Sequence, residues 1–172
     1  VRMFNFRQQS AIPIYANSAT IRDIERTFWY VFEWIPSSSS RPQLLLNEVS
    51  TEPFMAGGLR IIPFPVIHGT VPILGFRVGK FAYITDGSAL AEASLPILTG
   101  LHTLVINALR RKPHPTHFNL DGAIAAIAKI APRRAYLTHI SHDFDHASLC
   151  RELPDGIEPA HDGLSIEVDH NI

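Results

Sequence analysis

At 172 residues and 19.1 kDa, the chain is long enough for one domain of ordinary size with a substantial core. Fifteen Lys and Arg against 16 Asp and Glu give a net charge of −1, which argues against a nucleic-acid backbone or a polybasic membrane surface as partner. A hydrophobic share of 46% with 18% charged residues excludes wholesale disorder, and the single Cys150 excludes a disulfide framework or a cysteine zinc finger.

Residues 2–17 are mixed and end in Ile12-Pro13-Ile14-Tyr15-Ala16, a short apolar run that reads as an edge strand. From Thr20 onward, Ile21, Ile24, Phe28, Val31 and Phe32 recur at helical spacing with charged residues between them. The pattern predicts an amphipathic helix, capped by Ser18 or Thr20 and ending before Pro36. Ser37–Ser40 then reads as a flexible loop. Strands are predicted over Leu44–Val49, Leu59–Ile67, Ile73–Val78 and Phe81–Thr85, with Gly57-Gly58 and Gly79-Lys80 as turns. Thr103–Asn107 and Ala135–Thr138 read as buried strands flanking a helix over Leu120–Ala131, capped by Asn119 and stopped by Pro132. A short helix over Asp145–Glu152 and a strand over Leu164–Val168, after an Asp162-Gly163 turn, complete the chain. The order implies an α+β fold with mixed sheets and helices packed on their outer faces. The longest uncharged runs, residues 61–76 and 93–109, are broken by Pro and Gly and read as no membrane span.

Polar residues that strand periodicity does not explain lie directly after apolar strands. His68-Gly69, Asp86-Gly87 and His139 each follow one, and Ser141, His142, Asp143, Asp145 and His146 come just after His139. Strand ends hold side chains accurately beside an open cleft, and imidazole with carboxylate suits zinc or a similar divalent ion. Each position also has a plainer reading. A histidine after a strand is commonly a surface hydrogen-bonding residue, and Asp-Gly is a common turn signal, which is the reading kept for Asp162. His102, His161 and His170 read as solvated surface residues, and residues 112–117 as a stiff exposed loop after a solvated basic face at Arg110-Arg111-Lys112.

Together the segments are specific. Phe64-Pro65-Val66-Ile67-His68-Gly69, Phe81-Ala82-Tyr83-Ile84-Thr85-Asp86 and Tyr136-Leu137-Thr138-His139-Ile140-Ser141-His142, in this order, resemble the metallo-β-lactamase superfamily. Pro115-Thr116-His117-Phe118-Asn119-Leu120 and the stretch from Leu153-Pro154 to Leu164 resemble its cyclic-phosphate phosphodiesterase branch, linked to phosphonate breakdown. The resemblance implies an αββα sandwich in which residues 1–172 form a single domain lacking its N-terminal part. The superfamily's His-x-His-x-Asp-His motif, which carries three ligands, occurs nowhere in the sequence.

By the same resemblance, His68 would bind a first metal ion, Asp86 would bridge two, and His139 would bind the second, the ions being zinc or manganese. His117 would be the catalytic residue beside the phosphate, acting as proton donor or charge stabiliser. His142, Asp143 and Asp145 would orient His139 or line the cleft, with helix capping as the alternative for Asp143 or Asp145. The implied activity is hydrolysis of a phosphodiester or cyclic phosphate in a small phosphorylated substrate by a metal-bridging hydroxide, with this chain inactive on its own. The alternatives are a superfamily hydrolase of a thioester, lactone or nucleic-acid substrate, and a non-catalytic degenerate module. A homodimer is implied by resemblance only. The missing signal-peptide pattern and lone cysteine read as cytoplasmic.

Overall fold

The computed structural model describes residues 1–33 and 40–168, and its contacts divide the chain into two compact units, residues 1–52 and 53–172. Residues 37–39 of the serine loop and His170 lie outside the described residues.

In the first unit, helix α1 (Arg2–Gln8) occupies a stretch whose sequence carries no clear period. It is held by tertiary contacts: the buried Asn5 amide donates to Ser10 O and Gln43 O, and its Oδ1 accepts from Gln43 N–H. Strand β1 (Ile12–Ala16) pairs in parallel with β2 (Leu44–Glu48), from Ile12 opposite Leu44 to Ala16 opposite Glu48. The expected helix begins at Ser18 and not at Thr20, so the cap is neither Ser18 nor Thr20 but Asn17, whose Oδ1 accepts from Thr20 N–H at 2.8 Å. It is also not continuous. Helix α2 (Ser18–Thr27) ends where Phe28 leaves the α region at φ −113°, ψ 34°, and a short α3 (Trp29–Phe32) follows. Phe28, Trp29 and Tyr30 are aromatic in sequence and exposed, so neither propensity nor burial keeps the helix intact there.

The second unit is built on one eight-stranded sheet. Its strands are β3 (Phe54–Ala56), β4 (Leu59–His68), β5 (Val71–Val78), β6 (Phe81–Ile84), β7 (Ala89–Leu90), β8 (Thr103–Asn107), β9 (Arg134–Thr138) and β10 (Ile157–Pro159). The spatial order is β10-β9-β8-β6-β5-β4-β3, with β7 added alongside β4. Pairing is antiparallel from β3 to β6 and parallel from β6 through β8 and β9 to β10. Strand β3 was hidden by its length, but Gly57 and Gly58 at φ +57° and +79° make the tight turn that returns it onto β4.

The central strands are continuous apolar runs because parallel strands are covered on both faces. Phe64, Ile84, Leu104, Ile106 and Leu137 are fully buried and pack with Ala123, Ile127 and Ile130 of α4 (Leu120–Ile130) and Leu149 of α5 (His146–Glu152). Asn119 caps α4 as its sequence implies, accepting from Gly122 N–H at 3.1 Å.

The expected last strand over Leu164–Val168 does not form among the described residues. Its side chains still alternate in burial, but the sheet edge beside β9 is taken by β10, paired from Ile157 opposite Ala135. Alternation without a ladder partner leaves an extended segment and no strand.

Gly75 lies opposite Phe64, and a Cβ there would stand 2.4 Å from the Phe64 ring. Gly75→Ala is therefore expected to destabilise the fold by about 1–3 kcal/mol through overpacking. Chemical denaturation checks this, and an unchanged midpoint would mean that the ring moves aside freely.

Candidate metal centre

Strand directions decide which residues meet. Strand β4 is antiparallel to β5 and β5 to β6, so β4 runs the same way as β6, and β8 and β9 follow in parallel. The carboxyl ends of β4, β6, β8 and β9 therefore share one edge of the sheet, the usual place for ligands in open sheets of this kind. His68 is the last residue of β4, Asp86 comes two residues after β6, Asn107 ends β8 and His139 directly follows β9. His117 arrives on the loop between β8 and α4.

Backbone hydrogen bonds tie these ends together. The Asn107 side chain is completely buried and grips Gly87 at two points, Nδ2 donating to Gly87 O at 2.9 Å and Oδ1 accepting from Gly87 N–H at 2.8 Å. Gly87 O also accepts from Phe118 N–H, so the residue after Asp86 and the residue after His117 are joined directly. No larger residue fits at 87, because a Cβ would lie 2.9 Å from Val66 and 3.1 Å from Phe118. On the other side, Ser88 N–H donates to Ile67 O at 2.7 Å while Gly69 N–H donates to Ser88 Oγ at 2.9 Å. The loop after β6 is thus fastened to the end of β4.

His139 has φ +55°, a left-handed conformation that costs a non-glycine residue about 1–2 kcal/mol. Hydrogen bonds on both sides hold it there: Ala108 N–H donates to Thr138 O and Ser141 N–H to Leu109 O. Such strain is characteristic of functional positions.

At this edge, donor atoms of His68, Asp86 and His117 lie within 4.8 Å of one another. His117 Nε2 is 3.2 Å and His139 Nε2 3.5 Å from Asp86 Oδ1. The His117 ring stands edge-on to His68 with centroids 4.8 Å apart and stacks on His139 at 4.9 Å. Asp86 and His139 are 41% and 45% exposed, whereas His117 is only 13% exposed, so the carboxylate faces open solvent with His117 tucked beneath it. Imidazole and carboxylate donors converging in this way could hold a divalent metal ion.

Burial pushes the Asp86 carboxyl upward. The hydrogen bonds from the Thr85 hydroxyl and the His117 ring, with the attraction of His139 and His117 when they are protonated, together outweigh burial and hold it below the ordinary carboxylate range.

His142, Asp143 and Asp145 stay outside this cluster. The His142 side chain is 98% exposed and lies 3.8 Å from Asp143. Asp145 Oδ1 accepts from Ser148 N–H at 2.9 Å as the cap of α5, the capping alternative weighed from the sequence. The Ser148 side chain and backbone hold its carboxyl below the usual range.

His114, read from the sequence as part of an exposed loop, is half-buried against His117, with ring centroids 5.0 Å apart. Burial first, and then the charges of Arg110, His117 and His68, lower its tendency to protonate. The neighbouring basic residues are not simply solvated. Arg110 donates to Pro113 O, and Arg111 pairs with Glu152 at 2.5 Å and lies 5.2 Å above the Phe144 ring. The His-Pro-Thr-His spacing was the available signal for His114, but contact with His117 depends on how the loop turns.

A model of the beta-lactamase superfamily domain matches residues 1–140, so the chain belongs to the metallo-β-lactamase superfamily, whose members are metal-dependent hydrolases. It is 40% identical to a crystallised diphosphatase of the PhnP family, with a TM-score of 0.84 over 94% of this chain and 60% of that one. Within the superfamily, then, it matches the PhnP-like branch. The metallo-β-lactamase fold protein YhfI from Bacillus subtilis shares the fold, with a TM-score of 0.68 and 19% identity over 90% of this chain and 64% of that one. An octanoyltransferase of Porphyromonas gingivalis (strain ATCC BAA-308 / W83) is 35% identical over 164 residues, covering 92% of this chain and 32% of that protein. The chain thus spans about a third of that curated relative's length. Among the described residues, no helix is long and apolar enough to cross a membrane.

The lowered pKa of Asp86 has a pH consequence. Its folded form binds a proton less readily than the unfolded chain does, so its ionised state adds stability above the unfolded value, about 3.9. That stability disappears as the pH falls through the lower folded value. The metal-free chain should be more stable than Asp86→Asn at pH about 7, with the gap closing in acid. Denaturation at both pH values tests this; a gap of equal size in acid would contradict it.

Proposed function

We propose that this chain carries the metal site of a phosphohydrolase that cleaves a phosphodiester or cyclic phosphate in a small phosphorylated substrate. Carrying this reading is the 40% identity to the PhnP-family diphosphatase, over nearly the whole of this chain, joined to a four-residue cluster of imidazole and carboxylate donors. In this reading His68 and Asp86 hold one divalent ion, and Asp86 and His139 a second, each zinc or manganese. When bound, such ions stabilise charge on phosphoryl oxygens and make water acidic enough to supply hydroxide near neutral pH.

The chain's own residues account for orientation and proton transfer. The Asn107 amide sets the backbone behind Asp86, and the left-handed turn at His139 aims its Nε2 at the same carboxylate oxygen. His117 Nε2 reaches that oxygen from the sheltered side and holds the proton destined for the leaving alkoxide. Thr116 Oγ1, 2.9 Å from His117 Nδ1, and His114 occupy the other edge of the ring. The resemblance further suggests a homodimer.

Counting ligands limits what the 172 residues do alone. With Asp86 shared, each ion has two protein ligands from this chain, whereas zinc takes three even in catalytic sites. The isolated chain is therefore expected to hold metal weakly and to turn over little of a generic phosphodiester. Retention of two ions per chain with full turnover would overturn that count. In a longer protein that supplies further ligands, His117→Ala should lower turnover by about 10²–10⁴-fold with metal retained. Asp86→Ala should lose the metal as well. Metal analysis beside phosphodiester turnover separates the two, and undiminished turnover in His117→Ala would remove its assigned role.

A second reading, cleavage of an octanoyl thioester, has the octanoyltransferase likeness in its favour. Assaying an octanoyl thioester beside the phosphodiester distinguishes the two, since fold likeness does not choose between substrates.

A further inference from the structure

A second group of nitrogen and sulfur donors, made of residues outside the Asp86 cluster, lies where α5 meets the loop after β10. His146 and Cys150 are four residues apart on α5 and so share one face of the helix. Cys150 Sγ is 3.7 Å from His146 Nδ1. The ring of His161, in the loop after β10, stands at 79° to the His146 ring with centroids 6.1 Å apart.

Each imidazole is anchored to the backbone through one nitrogen. His146 Nε2 is 3.3 Å from Pro159 O, and His161 Nδ1 is 3.1 Å from Asp162 O. A carbonyl oxygen only accepts, so these two nitrogens are the donors. The nitrogens left with lone pairs are His146 Nδ1, beside the sulfur, and His161 Nε2. Metal-ligating histidines are held in the same way, with the other ring N–H given to a carbonyl or carboxylate.

We propose that His146, Cys150 and His161 form a second metal site, for zinc or an ion of similar softness, with water in the fourth position. With Zn–S bonds of about 2.3 Å and Zn–N bonds of about 2.0–2.1 Å, a tetrahedral ion holds sulfur and nitrogen about 3.6 Å apart. The observed spacing of Cys150 Sγ and His146 Nδ1 is 3.7 Å. Two imidazoles on such an ion have centroids about 5 Å apart, so His161 closes by about 1 Å on binding. His161 is exposed and lies outside the sheet, so that movement does not disturb the core. The sulfur separates this site chemically from the one at Asp86, because a thiolate favours softer ions than a carboxylate does. Binding releases the thiol proton to solvent, and the ion then ties α5 to the loop after β10.

Cobalt(II) tests the proposal, because a thiolate bound to cobalt gives a near-ultraviolet charge-transfer band that imidazole and carboxylate ligands do not. The sequence has one cysteine, so the band reports on Cys150 alone and ions at Asp86 add nothing to it. The reduced chain should develop the band to the same extent at every protein concentration, and added zinc should erase it. Cys150→Ser should abolish the band. His146→Ala and His161→Ala should each raise the cobalt needed for half the band by at least about tenfold, the loss that follows even when only a ligand's hydrogen-bonding partner is removed. All three side chains are exposed, so these variants are expected to keep the fold, which circular dichroism checks. Absence of the band in the wild type would overturn the proposal. So would a band that grows only as chains are concentrated and bridge through sulfur, or an unchanged half-saturation in either histidine variant.

Discussion

The buried amide of Asn107 joins the sheet to the site through two hydrogen bonds with the backbone of Gly87, the residue that follows Asp86. Both Asn107 and the neighbouring core are sealed from water, so no solvent is at hand to replace these bonds if they break. Because Gly87 O also accepts from Phe118 N–H, one small cluster fixes Asp86 relative to His117 as well as to β8. Loss of this contact would loosen the carboxylate around which the histidines gather.

Around that anchor, the chemistry follows from strand direction. Four strands that run the same way bring their carboxyl ends to one edge, and each contributes a polar residue just where its ladder ends. Rigid strands hold ligand atoms accurately, while the residues beyond them are free to adopt unusual backbone, as His139 does. Relationship to the metallo-β-lactamase superfamily is consistent with that arrangement, since fold and donor chemistry point to the same class of metal-dependent hydrolase.

Much of this was legible in one dimension. Apolar runs of strand length located the sheet, Asn119 announced the start of α4, and His68, Asp86 and His139, each just past a strand, are brought to one edge by the fold. Legibility failed where nonlocal contacts outweigh local pattern. Helix α1 is held by the Asn5 amide against residue 43, which has no signature in its own segment. Residues 164–168 alternate as a strand should, yet β10 takes the place beside β9. His114 looked like part of a solvated loop because its partner, His117, is three residues away on a turn whose shape is set by contacts from Arg110, Gly69 and Phe118.

The sequence by itself determined most strands of the central sheet, which depend on residue type and short-range spacing, and the family through its resemblance to the metallo-β-lactamase superfamily, which also marked His68, Asp86, His117 and His139 as candidates. Tertiary structure alone decided that Asp86 is approached by three imidazoles, that Asp145 is engaged as a helix cap, and that His114 stands behind His117. Hydrogen bonds reach only about 3 Å. Which donors come that close is settled by strand direction and loop path, and neither is written into any single segment.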